Sequence, residues 1–211
     1  MPIERVEPDT SPDAREAALA VLDEAPICHI AFVQEDRPMV LPALHGRVGA
    51  ILYLHGSPRG ALIRAAASGA PLSINAVVLD GIAVARTACH SALNYRSVLL
   101  TGAGRPVEDP AEKGRALRAI TERITPGGWE RGRPPGVEEI RGTTVIAVAI
   151  ARATLRERSG PPEDDDADLA LSCWAGVVPL RMQPGRAVPD PRLPAGVPVP
   201  EVLARRQPEA S

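Results

Sequence analysis

Two clusters of side chains in this chain have the types and spacing to do chemistry. The first lies in GIAVARTACHSALNYRSVLLTGAG, Gly81 to Gly104, where Arg86, Thr87, His90, Ser91, Asn94, Tyr95, Arg96 and Ser97 crowd around one polar turn. Guanidinium forks beside hydroxyl groups match the oxygens of a phosphate, so the stretch reads as an anion receptor. A polar hairpin turn is the alternative, because Asn, Ser and Arg are ordinary turn and surface residues. The second cluster is YLHGS, Tyr53 to Ser57, which closes a strand and opens a helix. There Ser57, Arg59 and Arg64 reinforce the outward-pointing N–H groups of a helix start, against the alternative of a plain connection with solvated arginines. His55, at the mouth of that strand beside a glycine, is the candidate for acting on a substrate.

The elements that must position these groups follow from the apolar pattern. Thr10 or Ser11 caps a helix with Pro12 in its first turn and Ala17, Leu19, Val21 and Leu22 on its apolar side. Strands are expected at Ile27 to Val33, Met39 to Leu44 and Ala50 to Leu54, the first two joined by the polar turn Gln34 to Arg37 and the last two separated by a turn bracketed by Gly46 and Gly49. Connections this short make an antiparallel meander. After a helix through Leu62, Ile63 and Ala67 that stops at Gly69, Pro71 to Leu79 resumes the sheet, and Asp80-Gly81 reads as a hairpin turn. Gly102-Ala103-Gly104 reads as a bulge or tight bend.

Asp109-Pro110 then starts a helix with Leu117, Ile120 and Ile124 on one side, ended by Pro126-Gly127-Gly128. Trp129 to Val137 is a basic, Pro- and Gly-rich loop of the kind that covers a site or crosses the surface. Thr143 to Ile150 is a β-branched, nearly all-apolar strand continuing towards Arg156. Ser159 to Asp168 is an acidic turn without the ordered oxygen spacing of a cation site, so no metal is assigned. Ala170 to Leu180 supplies a last strand or a short helix and strand. Residues 1–182 are expected to form one domain, and 183–211 a Pro-rich tail, flexible or packed on a partner subunit, with a weak helical pattern at Glu201 to Arg206.

Composition narrows the classes. The 211 residues carry 24 Lys and Arg against 26 Asp and Glu, for a net charge of -2, so no global field draws the chain to nucleic acid or acidic membranes. Three cysteines without a CxxC pair indicate neither a disulfide framework nor a zinc ribbon. A zinc site from Cys28-His29 and Cys89-His90 is disfavoured because neighbours on a strand point to opposite faces. The absence of a leader-like apolar core or a spanning run implies a soluble cytoplasmic protein. Aromatic residues make up only 2 % of the chain, so the core must be aliphatic.

The order helix, meander, YLHGS, ARTACHSALNYRSV resembles the FMN-binding split β-barrel superfamily, and within it the pyridoxamine 5'-phosphate oxidase-related flavoproteins that include the nitroimidazole-resistance proteins. YLHGS, NYRSV at Asn94 to Val98 and WAGVVPL at Trp174 to Leu180 carry the resemblance, which covers roughly Pro12 to Leu180. It implies a mainly β fold, a six-stranded antiparallel split β-barrel with flanking helices, assembled as a homodimer with FMN between the subunits. Ser57, Arg59, Arg64, Arg86, Thr87, Asn94, Tyr95, Arg96, Ser97 and Trp174 become candidate cofactor contacts, with substrate entering near His55 and Trp174 or Trp129. The implied activity is hydride or electron transfer to or from a small organic substrate, with a nicotinamide donor. A non-catalytic flavin or haem binder is the second reading, and haem binding or degradation through His55 or His90 the third. The Pro-rich tail lacks the arginine- and histidine-rich substrate site of a true pyridoxamine phosphate oxidase.

Overall fold

A computed structural model describes residues 11–204. Met1 to Asp9 and Thr10 lie outside the described residues, as do Arg205 and Arg206 of the expected last helix. Helix α1, Pro12–Glu24, begins as its sequence dictates: the Ser11 side chain accepts from the Ala14 amide at 3.2 Å and Pro12 fills the first turn. Ala18, Val21 and Leu22 form its buried stripe.

Strands β1, Cys28–Gln34, and β2, Arg37–Ala43, make the expected hairpin, with Glu35 and Asp36 both at positive φ (50° and 59°), as its two-residue turn requires. A short strand β3, His45–Val48, then pairs with β4, Ile51–Gly56, where only a turn was expected around Gly46. Four residues carry too little alternation to announce a strand. Gly46 is required there because a Cβ would sit 2.6 Å from the Ile120 amide nitrogen. Helix α2 spans Ala61–Ala67 and stops before Gly69, whose φ is +76°.

The long strands are β5, Pro71–Val84, β6, Ala92–Pro106, and β7, Thr144–Arg158. Asp80-Gly81 is not a hairpin turn. The strand runs on through it with a register shift between Leu79 and Gly81, because Ile82 and Ala83 find partners on both sides, in β6 and in β8, Gly176–Pro179. A turn-forming dipeptide thus becomes a bulge when both strand edges are occupied. The turn proper comes later, at a 3-10 segment Ala88–His90. Between β6 and β7 lie α3, Pro110–Ile124, capped by the Asp109 carboxylate, and two short helices, α4, Gly128–Arg131, and α5, Val137–Gly142. A second 3-10 segment, Asp166–Ala170, follows β7, and a one-turn helix α6, Glu201–Ala204, ends the described chain.

All pairings are antiparallel, in the order β2-β1-β5-β6-β7-β4-β3 with β8 added to β5. The fold is mainly β with flanking helices, as expected, but among the described residues it has eight strands rather than six, and no pairing joins β2 to β3 to close a barrel. The added strands are the two shortest, β3 and β8. One face of the sheet, with Ile30, Leu72, Ile74, Ala76, Val98 and Leu100, is sealed by α1 and α2 into the main core. A second, smaller core of Tyr53, Val107, Ala116, Ile120, Val145 and Ala147 lies under α3. No helix among the described residues is long and apolar enough to cross a membrane.

Candidate functional site

The β5–β6 turn does not present free guanidinium groups. Arg96 forks onto Asp80 at 2.7 and 3.0 Å and onto Glu24 at 2.6 and 3.0 Å, tying the bulge of β5 to the end of α1. The guanidinium holds both carboxyls below their usual range. Asp164 accepts from the Arg86 amide and from its Nη1, each at 2.8 Å. Burial works to raise the Asp164 carboxyl, but the hydrogen bonds from Arg86 outweigh it and leave it below the ordinary aspartate value.

Asn94 is buried and spent as well. It donates to Gly160 O at 2.9 Å and accepts from Arg158 at 2.8 Å. Ser97 donates to Arg156 O, and Tyr95 pairs across the sheet with Leu79 and Arg158. Three buried polar atoms remain without partners at this turn: Arg86 Nε, Thr87 Oγ1 and His90 Nδ1. His90 also brings a ligand atom within 4.8 Å of those of Asp165 and Asp168, so an acidic run dismissed on spacing gains a histidine through the fold. Trp174, 64 % exposed, belongs to this same region, because its neighbour Cys173 reaches Arg86 O.

The β4–α2 connection differs. Ser57, Arg59 and Arg64 are all exposed, and among the described residues no carboxylate pairs with either arginine. Ser57 Oγ accepts from the Arg59 amide at 3.3 Å, Gly60 N donates to Ser57 O at 2.9 Å, and Arg64 Nη1 donates to Arg59 O at 3.0 Å, so the loop is held by its own groups. With α2 only 7 residues long, its dipole adds little and the guanidinium groups supply the positive charge. His55, the penultimate residue of β4, lies opposite Val145 and is exposed. These residues fit the anionic end of a phosphorylated cofactor by donor type and by the absence of a competing carboxylate.

The two clusters do not meet within one chain. Gly56 pairs with Thr144 at the start of β7 and Ser97 with Arg156 near its end, twelve residues apart. At about 3.3 Å per residue that is on the order of 40 Å along the strand.

Two residues that tie α1 to the rest of the fold, His45 and Arg123, carried no sequence signal. His45 is buried, its Nε2 3.0 Å from Leu22 O, and burial pushes its imidazole below the usual range. Arg123 donates to the carbonyls of Leu22, Asp23 and Ala25, capping α1 from α3. The Cys28 thiol is pushed up to about 12 by burial, so it is inert.

Comparison with known proteins accords with this architecture. No curated protein matches. The flavocytochrome Anf3 from Azotobacter vinelandii is similar at 38 % identity and TM-score 0.81, over 91 % of this chain and 89 % of that one. An FAD and heme binding protein from Mycobacterium smegmatis is similar at 36 % identity and TM-score 0.85, over 94 % and 96 % of the two chains. A 5-nitroimidazole antibiotic resistance protein of Bacteroides thetaiotaomicron, at 21 % identity and TM-score 0.57 over 71 % and 85 %, shares the fold. The pyridoxamine 5'-phosphate oxidase family matches residues 14–157, which include β1 to β6 whole, the β4–α2 turn and nearly all of β7, and the chain belongs to that family.

Proposed function

We infer that this protein binds a flavin and a haem and works as an oxidoreductase on a small organic substrate. What carries the reading is that the two relatives above 35 % identity, each aligned over about nine-tenths of its length, are both named for flavin together with haem. A flavin supplies hydride and single-electron chemistry, and a haem single-electron chemistry. The chain's own contribution is binding and orientation: Ser57, Arg59 and Arg64 hold the phosphate end, and His55 stands at the same strand end to face the substrate or the iron. His90 suits a haem less, because Asp164, Asp165 and Asp168 gather around it and haem carries anionic propionates.

A homodimer completes this reading. The sheet face opposite α1 and α2, beyond the end that α3 covers, exposes Val33, Val40, Val77, Leu79 and Leu99, an apolar area a second copy would bury. Only a second copy would bring a β5–β6 turn near the β4–α2 turn. A nicotinamide nucleotide is the electron donor this reading expects.

The test is the visible spectrum of protein reconstituted with FAD, FMN and haemin, followed by identification of what remains bound. Flavin bands with a Soret band are expected. A protein that takes up neither overturns the reading. In the His55→Ala variant, loss of the Soret band assigns His55 to the iron, whereas retained cofactors with slower turnover assign it to the substrate.

A further inference from the structure

After β8 the chain leaves the sheet. The Leu180 amide donates to Asp80 O at 3.0 Å, one residue from Leu79. The strand cannot run on from there, because β1 takes the same edge of β5 at Ser73 to Asn75. From Arg181 to Val199 every residue is exposed, Met182 at 83 % and Val188 at 89 %. Pro184, Pro189, Pro191, Pro194, Pro198 and Pro200 hold this arm extended. Its turns are closed locally: Leu193 N donates to Asp190 O at 2.9 Å, Arg192 forks onto Asp190 at 3.0 and 3.1 Å, and Val197 N donates to Pro194 O at 3.4 Å. An arm shaped in advance loses little conformational freedom when it docks. Similarity to the FAD and heme binding protein runs over 94 % of this chain, too far to leave the arm out, so the arm belongs to what the two chains share.

The surface that fits it is on the same chain. Val33, Val40, Val77, Leu79 and Leu99 share one sheet face: Val40 pairs with Ala31, two residues from Val33, and Leu99 pairs with Asn75, two residues from Val77. The arm starts beside this patch, at Leu79, yet leaves these five residues 42 to 66 % exposed. Reach does not limit the contact. At about 3.1 Å per residue, 181–199 spans on the order of 60 Å before its turns shorten it, whereas the path from β2 to β3, with strands about 4.8 Å apart, is about 30 Å across. A stable interface takes about 20–30 residues a side. The patch alone falls short of that, and patch and arm together reach it.

We propose that the arm is exchanged: 181–199 of one copy lies across the apolar sheet face of a second copy, whose own arm crosses back. One two-fold axis then covers both exposed apolar surfaces at once. The exchange deepens the homodimer inferred above, on which it rests, by naming the segment that holds it.

Full-length variants test it by sedimentation. Val188→Lys with Val197→Lys alters the arm, and Val33→Lys with Val40→Lys alters the face; all four side chains are exposed within the single chain, so native circular dichroism is expected of both. Wild-type protein should be a dimer. Each variant alone should raise the dimer dissociation constant at least about a hundredfold, from about tenfold per buried valine. An equal mixture of the two should dimerise at least about tenfold more tightly than either alone, because one arm and the face it meets are then both wild type. No recovery on mixing overturns the exchange. A dimer that the face variant dissociates and the arm variant does not overturns the role of the arm and leaves the homodimer standing, whereas a monomeric wild type overturns both.

Discussion

The β5–β6 turn and the β4–α2 turn are built from the same materials, two arginines with hydroxyl side chains beside a histidine, yet they differ in what their charges are free to do. At the first, Arg96 is spent on Asp80 and Glu24, and Arg86 on Asp164. At the second, Arg59 and Arg64 have no carboxylate partner among the described residues. The carboxylates that make the difference come from far along the chain, with Glu24 72 residues from Arg96 and Asp164 78 from Arg86. Residue type and spacing indicate what chemistry a cluster can do, but availability depends on what the fold lays against it.

The largest effect should come from the packing that holds the free cluster in place. A Cβ at Gly104 would overlap the Ala66 carbonyl oxygen, so Gly104→Ala must push α2 off β6. A loss of about 1–3 kcal/mol in urea denaturation is expected, with weakened flavin binding as the β4–α2 turn shifts. Next comes the comparison itself. Arg59→Ala and Arg64→Ala should each lower flavin affinity by about tenfold without moving the denaturation midpoint, and unchanged affinity in the folded double variant would remove the phosphate assignment.

Arg86→Ala should do the reverse, lowering the melting temperature while leaving flavin affinity in place. The carboxyl of Asp164 is depressed in the fold, so its contribution is present above the unfolded aspartate value and is lost as pH falls through the folded one. The wild-type advantage over Arg86→Ala should therefore shrink below about pH 4. An advantage that persisted well below that pH would mean the pair contributes nothing to stability.

The smallest effect belongs to Arg96→Ala. Its side chain is 32 % exposed and those of Glu24 and Asp80 are 51 % and 37 % exposed. Solvent and salt screen such pairs, so a cost of about 0.5–1 kcal/mol, reduced further in high salt, is expected from denaturation curves. A flavin affinity that fell more than the stability did would return Arg96 to the binding site.

The elements whose patterns are long or whose ends carry stop signals were legible. Ser11-Pro12 and Asp109-Pro110 start helices where capping chemistry places them, and the run around Val145 to Ile150 forms a central strand because β-branched residues suit burial on both sides. Strand β3 and the bulge at Gly81 were not legible, because each depends on a partner strand. A shallow cleft beside Trp129 was foreshadowed only by the composition of its loop, since Thr121 and Glu139 approach it from different helices.

Local chemistry therefore settles which residues can cap, turn, alternate and carry charge, since those properties belong to a few neighbouring residues and survive any context. The motifs YLHGS and NYRSV named the family for the same reason. Which arginines stay free and which glycines mark close approach are properties of pairs, and so is where the two clusters stand along β7. Pairs separated by dozens of residues meet only when the sheet has formed. Burial and opposite charge then act over a few ångströms, a distance that sequence separation does not measure.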